Sequence, residues 1–238
     1  MALLLTGCGF RLHEVTSDGA ADHDAATGDS RDAPHAMPAL VQQATAAADD
    51  SDNPLVATLP APPAAGDLLV MIGACSRGGL ASVTGGGVAT WTRATQMLAN
   101  VNIEVWYGIT DGSSAAVTIE HPPYGDPIWQ LVTEWSGTAS ANVLDAAASA
   151  SGTSSPASAG AASLATRELA VFAVADLTPN TFGTPTQGTW TALMPVSSST
   201  TTQQAWFAVA ASGGSVTPTV TETGHSWEAA IASLHPAP

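Results

Sequence analysis

Gly224-His225-Ser226-Trp227-Glu228 is the stretch that comes nearest to a nucleophile motif. A serine nucleophile raised on a sharp strand-to-helix turn needs G-x-S-x-G, because the strained turn has no room for larger neighbours around the hydroxyl. Glu228 stands where the last glycine belongs, so no catalytic serine is expected there. Glycoside hydrolysis needs two carboxylates facing each other across a sugar, roughly 5–9.5 Å apart. Glu104, Glu120 and Glu134 fall on three separate segments and read as solvated sheet-face acids. Asp49-Asp50-Ser51-Asp52-Asn53 offers oxygens of the kind Ca2+ takes, but without the glycine and closing glutamate of an EF-hand loop it reads as an exposed turn. Ca2+ at that turn is the one cofactor candidate; otherwise none is expected. The six histidines show no zinc spacing, and Cys75 inside an apolar run reads as a small buried hydrophobe.

The residues best suited to binding are Trp106 and Trp206. Alternation puts Trp106 on one face with Glu104 and Asn102, and Trp206 on one face with Gln204 and Thr202. A tryptophan among polar neighbours on a half-wet sheet face is a flat platform on which a sugar ring can stack. Trp106, Trp206, Glu104 and Gln204 are therefore the candidate ligand-binding set. The competing reading, preferred here, covers both faces of the strand, so that the tryptophans, like Trp91 and Trp190, fill a duplicated core.

What must position these residues is a repeat. Asp67-Leu-Leu-Val-Met-Ile-Gly-Ala aligns with Glu168-Leu-Ala-Val-Phe-Ala-Val-Ala, and Ala89-Thr-Trp91-Thr with Gly188-Thr-Trp190-Thr. Glu104-Val-Trp106-Tyr aligns with Gln204-Ala-Trp206-Phe, and Ile128-Trp129-Gln with Ser226-Trp227-Glu. Leu40-Val41 with Pro54 corresponds to Val143-Leu144 with Pro156. The matches keep one order at a nearly constant offset, and three are anchored by the rare residue tryptophan.

The segments are short, rich in Val, Ile, Thr and aromatics, and separated by Gly, Pro, Ser and Asn clusters, which predicts strands. They are expected near 39–47, 54–60, 67–75, 88–97, 101–110, 115–121 and 128–136, then near 142–150, 157–163, 168–176, 188–194, 202–211, 215–221 and 226–234. Leu68–Ala74 is apolar at successive positions, as a strand covered on both sides should be. Only Gly137 to Ala141 separate the copies, and a duplicated half with open sheet edges gains by pairing with its twin. The expectation is an all-β fold, one jelly-roll-like β-sandwich over residues 39–238 with repeat halves of about 39–138 and 142–238; two tandem Ig-like sandwiches are the alternative. The Ala65-Gly66-Asp67-Leu-Leu-Val opening and Thr133-Glu134-Trp135-Ser136-Gly137 close resemble β-sandwich domains of secreted bacterial surface proteins, a likeness that marks fold and carries no activity.

The chain of 238 residues has a net charge of -15, with five arginines as its only fixed cations. A phosphate backbone or an anionic lipid surface needs a basic face, so nucleic acid and electrostatic membrane binding are both disfavoured. No apolar run approaches the roughly 20 residues of a membrane-spanning helix. Residues 9–53 hold nine acids against Arg11 and Arg31, and 9–38 lack any apolar period, so 9–38 reads as a disordered acidic linker.

Leu5-Thr6-Gly7-Cys8 resembles the lipobox of bacterial lipoproteins, in which the cysteine is lipidated and becomes the new N-terminus. Residues 1–8 then read as a truncated lipoprotein signal and Cys8 as the lipidation site. The resemblance implies export and anchoring at the cell surface or outer membrane, with the membrane contacted through lipid only and the linker acting as a stalk. The functional expectation is a non-catalytic surface lipoprotein that binds or adheres, with a glycan or another surface component as partner. A subunit of a surface layer or fibre, and a hydrolase on a jelly-roll scaffold, are the alternatives.

Overall fold

The computed structural model describes residues 36–49, 53–121, 127–197, 201–223 and 225–238, and among them every regular element is a strand. The first copy contributes β1 (Ala39–Ala48), β2 (Leu55–Thr58), β3 (Leu68–Cys75), β4 (Ser82–Gly85), β5 (Thr92–Met97), β6 (Asn102–Ile109), β7 (Ala116–Glu120) and β8 (Ile128–Ser136). The second contributes β9 (Leu144–Gly152), β10 (Ala162–Leu164), β11 (Leu169–Asp176), β12 (Thr191–Ala192), β13 (Val196–Ser197), β14 (Thr202–Val209), β15 (Gly214–Val216) and β16 (Trp227–Leu234). Each expected segment contains a strand, though 157–163 and 215–221 overlap only the short β10 and β15, and β4 and β13 are additional strands in stretches read as loop. Gly85, which ends β4, and Gly86 and Gly87 just after it, all at positive φ, hid that strand: a Cβ on Gly85 would sit 2.3 Å from the Ala116 carbonyl oxygen.

All pairings are antiparallel, and the two copies follow one path. The large sheet of the first runs β1-β8-β3-β6-β5 and that of the second β9-β16-β11-β14-β12, with β13 also on β14. Smaller sheets, β2-β7-β4 and β10-β15, lie over the outer faces. In the first copy β1 to β5 alternate between the large and the small sheet before β6 to β8 return through large, small and large. The second copy keeps this jelly-roll-like path with only β10 and β15 in its small sheet. Residues Asn53–Pro54 and Ser155–Pro156, at matching positions before β2 and β10, are both joined by cis peptide bonds.

The layering follows from period-two alternation along the apolar strands. Leu68, Val70, Ile72 and Ala74 face inward with Leu169, Val171, Ala173 and Ala175 in a central core shared by the two large sheets. The opposite faces serve two outer cores: Leu69, Met71 and Cys75 against β2, β4 and β7, and Ala170, Phe172 and Val174 against β10. The central core is asymmetric. The first copy supplies Trp129, Leu131, Trp135 and Ile103, whereas the second supplies Ala205, Ala230, Ala232 and Leu234. Trp135 meets Phe207 of the second copy edge-on, with ring centroids 4.8 Å apart. Hydrogen bonds stitch the seam: Ser149 Oγ donates to the Gln96 carbonyl at 2.8 Å, and the Met194 amide donates to Gln43 Oε1 at 2.9 Å.

One alignment needs correction. Ile128 pairs with Cys75 and Trp227 with Asp176, the same station in each copy, so Trp227 corresponds to Ile128 and Glu228 to Trp129. A slip of one residue turns a side chain to the other face of the sheet. Trp129 therefore lies in the central core and Trp227 in an outer one, and Glu228 points its carboxyl into the seam. At the start of the repeat, Leu40 corresponds to Leu144 in the same way, each followed by a bulge.

Trp135→Ala should lower unfolding free energy by about 3–5 kcal/mol in urea, the range for emptying a core aromatic site, whereas Val41→Ser on the exposed edge should stay within about 0.5 kcal/mol. A loss at Trp135 no larger than at Val41 would contradict the layered core.

Candidate functional site

The sequence-derived set divides between the copies. In the first, Glu104 is 0% exposed, so it is not the solvated acid expected from alternation. Its Oε1 accepts the Leu80 amide at 2.7 Å, and its Oε2 accepts Trp106 Nε1 at 2.9 Å and Arg93 Nη1 at 3.2 Å. Gly79 permits the close approach, since a Cβ there would lie 2.8 Å from Glu104 Oε1. Arg93 also lies over the half-buried Trp106 ring, 5.2 Å from its centroid. A buried carboxylate with this many donors is a closed unit.

The second copy lacks that unit. Ala192 stands where Arg93 stands, opposite the tryptophan, and Gln204 replaces Glu104. Trp206 is 4% exposed and stacks on Phe172 at 5.7 Å, with Phe182 edge-on at 6.4 Å, so its ring is part of the outer core. Gln204 Nε2 donates to the carbonyls of Leu193 and Ala205, each at 2.9 Å. Around Gln204 opens a groove of about 570 Å3 whose walls carry Asn180, Thr181, Phe182, Thr202 and Thr223. The groove, which sequence reasoning did not find, adds loop residues that meet only in the fold to Thr202 and Gln204 of β14.

Asn180 and Thr223 also belong to a cluster behind the groove. Asp176, the last residue of β11, is buried; its Oδ1 accepts the Thr178 amide and hydroxyl at 2.8 Å, and its Oδ2 accepts Asn180 Nδ2 at 2.8 Å. His225 Nδ1 lies 3.7 Å from Asp176 Oδ2 and 3.0 Å from Thr223 Oγ1, while the His225 amide donates to Glu222 Oε2 at 3.0 Å. Asp176, Glu222 and His225 thus converge despite having no metal-ligand spacing in the sequence. A second such cluster joins Asp145, buried Glu168 and His235, with His235 Nδ1 paired to Glu168 Oε1.

Two further acids proved to be buried. Glu134 accepts the Ala64 amide at 2.7 Å and a short hydrogen bond from Gln42 Nε2, and it shares a hydrogen bond with Asp67. Burial first, then that hydrogen bond and the Glu134 charge, push the Asp67 carboxyl up to about 6. Glu228 is also pushed upward, chiefly by burial, against the stabilising amides of Asn100 and Val101. Glu120 alone of the three acids is exposed, as expected. Ser226 enters a strand and no helix follows it. Cys75 is buried as read, whereas Cys8, and Asp50 to Asp52 of the Ca2+ candidate, lie outside the described residues.

No protein family model matches the chain, and neither a curated protein nor a solved structure matches it. The class defined is therefore architectural: an all-β protein of two jelly-roll copies joined through their large sheets.

An acid whose pKa is raised by folding keeps its proton longer in the native state, so its contribution is full below the ordinary 3.8 and is lost as pH rises toward 6. Carboxyl NMR should show Asp67 titrating near 6 in the parent and moving down toward 3.8 in Glu134→Gln. An unchanged midpoint would show that Glu134 does not raise it.

Proposed function

We propose that the chain is an exported, lipid-tethered surface protein whose doubled sandwich is a non-catalytic binding module, with the groove on the second copy receiving a polyhydroxylated ligand such as a glycan. The observation that carries the reading is the divergence at one station. Where the first copy seals the sheet face with Glu104, Arg93 and Trp106, the second opens it around Gln204. The groove offers what neutral sugars need: side-chain amides at Asn180 and Gln204, hydroxyls at Thr181, Thr202 and Thr223, and an aromatic face at Phe182. The tether rests on Leu5-Thr6-Gly7-Cys8 and the acidic stretch behind it. The acidic balance of the chain favours neutral partners over phosphate-bearing ones.

A second reading, a packing subunit of a surface layer or fibre, is favoured by the edges. Among the described residues β1 and β9 each end a large sheet with one side unpaired; β1 carries no charged side chain, and its Val41 is 52% exposed. Long uncharged edges are templates for pairing with another chain. Concentration-dependent growth in light scattering, abolished by a charge such as Val41→Lys, is the outcome that reading requires.

For the binding reading, a glycan array should give a defined set of positives. Asn180→Ala combined with Gln204→Ala should weaken the best positive about tenfold or more, roughly the value of one or two lost polar contacts. Trp106→Ala should leave it unchanged in protein that remains folded. A blank array, or equal binding by the double variant, would end the proposal.

A further inference from the structure

We infer that Asp176, Glu222 and His225 form a binding site for a divalent transition-metal ion, with Zn2+ the fitting probe. The carboxylate oxygens and imidazole nitrogen all lie within 4.8 Å of one another. One Zn2+ about 2.0–2.2 Å from each donor needs them roughly 3–4 Å apart, a small adjustment. His225 can supply it, because its side chain is 45% exposed. The two acids are held in place instead. Asp176 is fixed by Thr178 and Asn180 in the manner of outer-shell partners that orient a ligating carboxylate. The Glu222 amide donates to Ser155 Oγ at 3.2 Å.

The other copy supplies an independent indication. Cys75 closes β3 as Asp176 closes β11, each opposite the first residue of the neighbouring strand. His121 matches Glu222: its amide donates to Asn53 Oδ1 at 3.3 Å, as the Glu222 amide donates to Ser155, each to the residue before the shared proline. His121 is 3% exposed, and neither ring nitrogen has a hydrogen-bond partner among the described residues. Buried polar atoms are nearly always paired, so an imidazole with neither nitrogen engaged is free to act as a ligand. Metal-ligating residue types thus occupy two matched positions in both copies, Cys and His in one, Asp and Glu in the other. An all-oxygen cage suits Ca2+ or Mg2+, whereas an imidazole joined to carboxylates suits Zn2+ and its neighbours in the transition series.

Calorimetric titration of the full chain with Zn2+, in the absence of any glycan, tests the site separately from the groove reading. The parent should take up Zn2+, and both His225→Ala and Glu222→Gln should lose one equivalent or weaken it about tenfold or more. His121→Ala should retain that equivalent. Circular dichroism melts identify variants that fold, and His225→Ala, altering an exposed side chain, keeps the test valid if Glu222→Gln does not fold. Isotherms of the two variants identical to the parent would overturn the inference. So would an equivalent lost on His121→Ala but kept on His225→Ala, or tighter uptake of Ca2+ than of Zn2+.

Discussion

The inner faces of β3 and β11 meet in the middle of the molecule, and the residues around them divide the available volume unequally. Trp129, Trp135, Ile72 and Ile103 of the first copy lean on Ala173, Ala175, Ala205, Ala230 and Ala232 of the second. Close packing requires the two surfaces to be complementary in volume, so bulk on one side obliges small residues on the other. That obligation has consequences outward. Alanine-rich inner faces leave the second copy dependent on its partner for apolar burial, and its own outer core gathers aromatics instead: Phe172, Trp190, Trp206 and Trp227. The two jelly rolls share a topology but no longer share a distribution of mass.

Divergence at the outer faces follows the same logic. A buried carboxylate is tolerable only with donors around it, and Glu104 has three. Exchanging the acid for Gln204 removes the need for an arginine, and Ala192 fills that place without reaching across the sheet. A groove borders Gln204, and loops carrying amides and hydroxyls line it. Duplication therefore gives one copy in which the station is structural and one in which it is open. One of the polar contacts across the seam involves a buried acid: Glu228, at the Trp129 station, accepts the Asn100 amide at 2.8 Å.

Much of the fold was legible because Trp91 and Trp190, Trp106 and Trp206, and the apolar strands LLVMIGAC and LAVFAVAD hold matching places in the two copies. The alternation around Trp106 and Trp206 correctly separated the two faces of β6 and β14. Reading failed where a one-residue slip leaves the pattern looking equally good: aligning Trp129 with Trp227 matched residue types but crossed the sheet. It failed again for Glu104 and Glu134, since a strand pattern shows which face an acid takes and not that a second sheet or a distant loop covers that face. The partners of Glu104 arrive from Leu80 and Arg93, and those of Glu134 from Gln42 and Ala64. The groove and the His225 cluster were hidden for the same reason, because Asp176, Glu222 and His225 become neighbours only after β11 and the turn before β16 are laid side by side.

Native-state hydrogen exchange on β3 and β11 tests most directly whether the two large sheets are bound into one interior. If they are, the amides of Leu68–Cys75 and Leu169–Asp176 open with a common free energy that tracks global unfolding, and a substitution in either strand lowers both together. Separate openings, with one strand exchanging at a free energy well below the other and untouched by substitutions across the seam, would show two independent sandwiches and contradict the shared core.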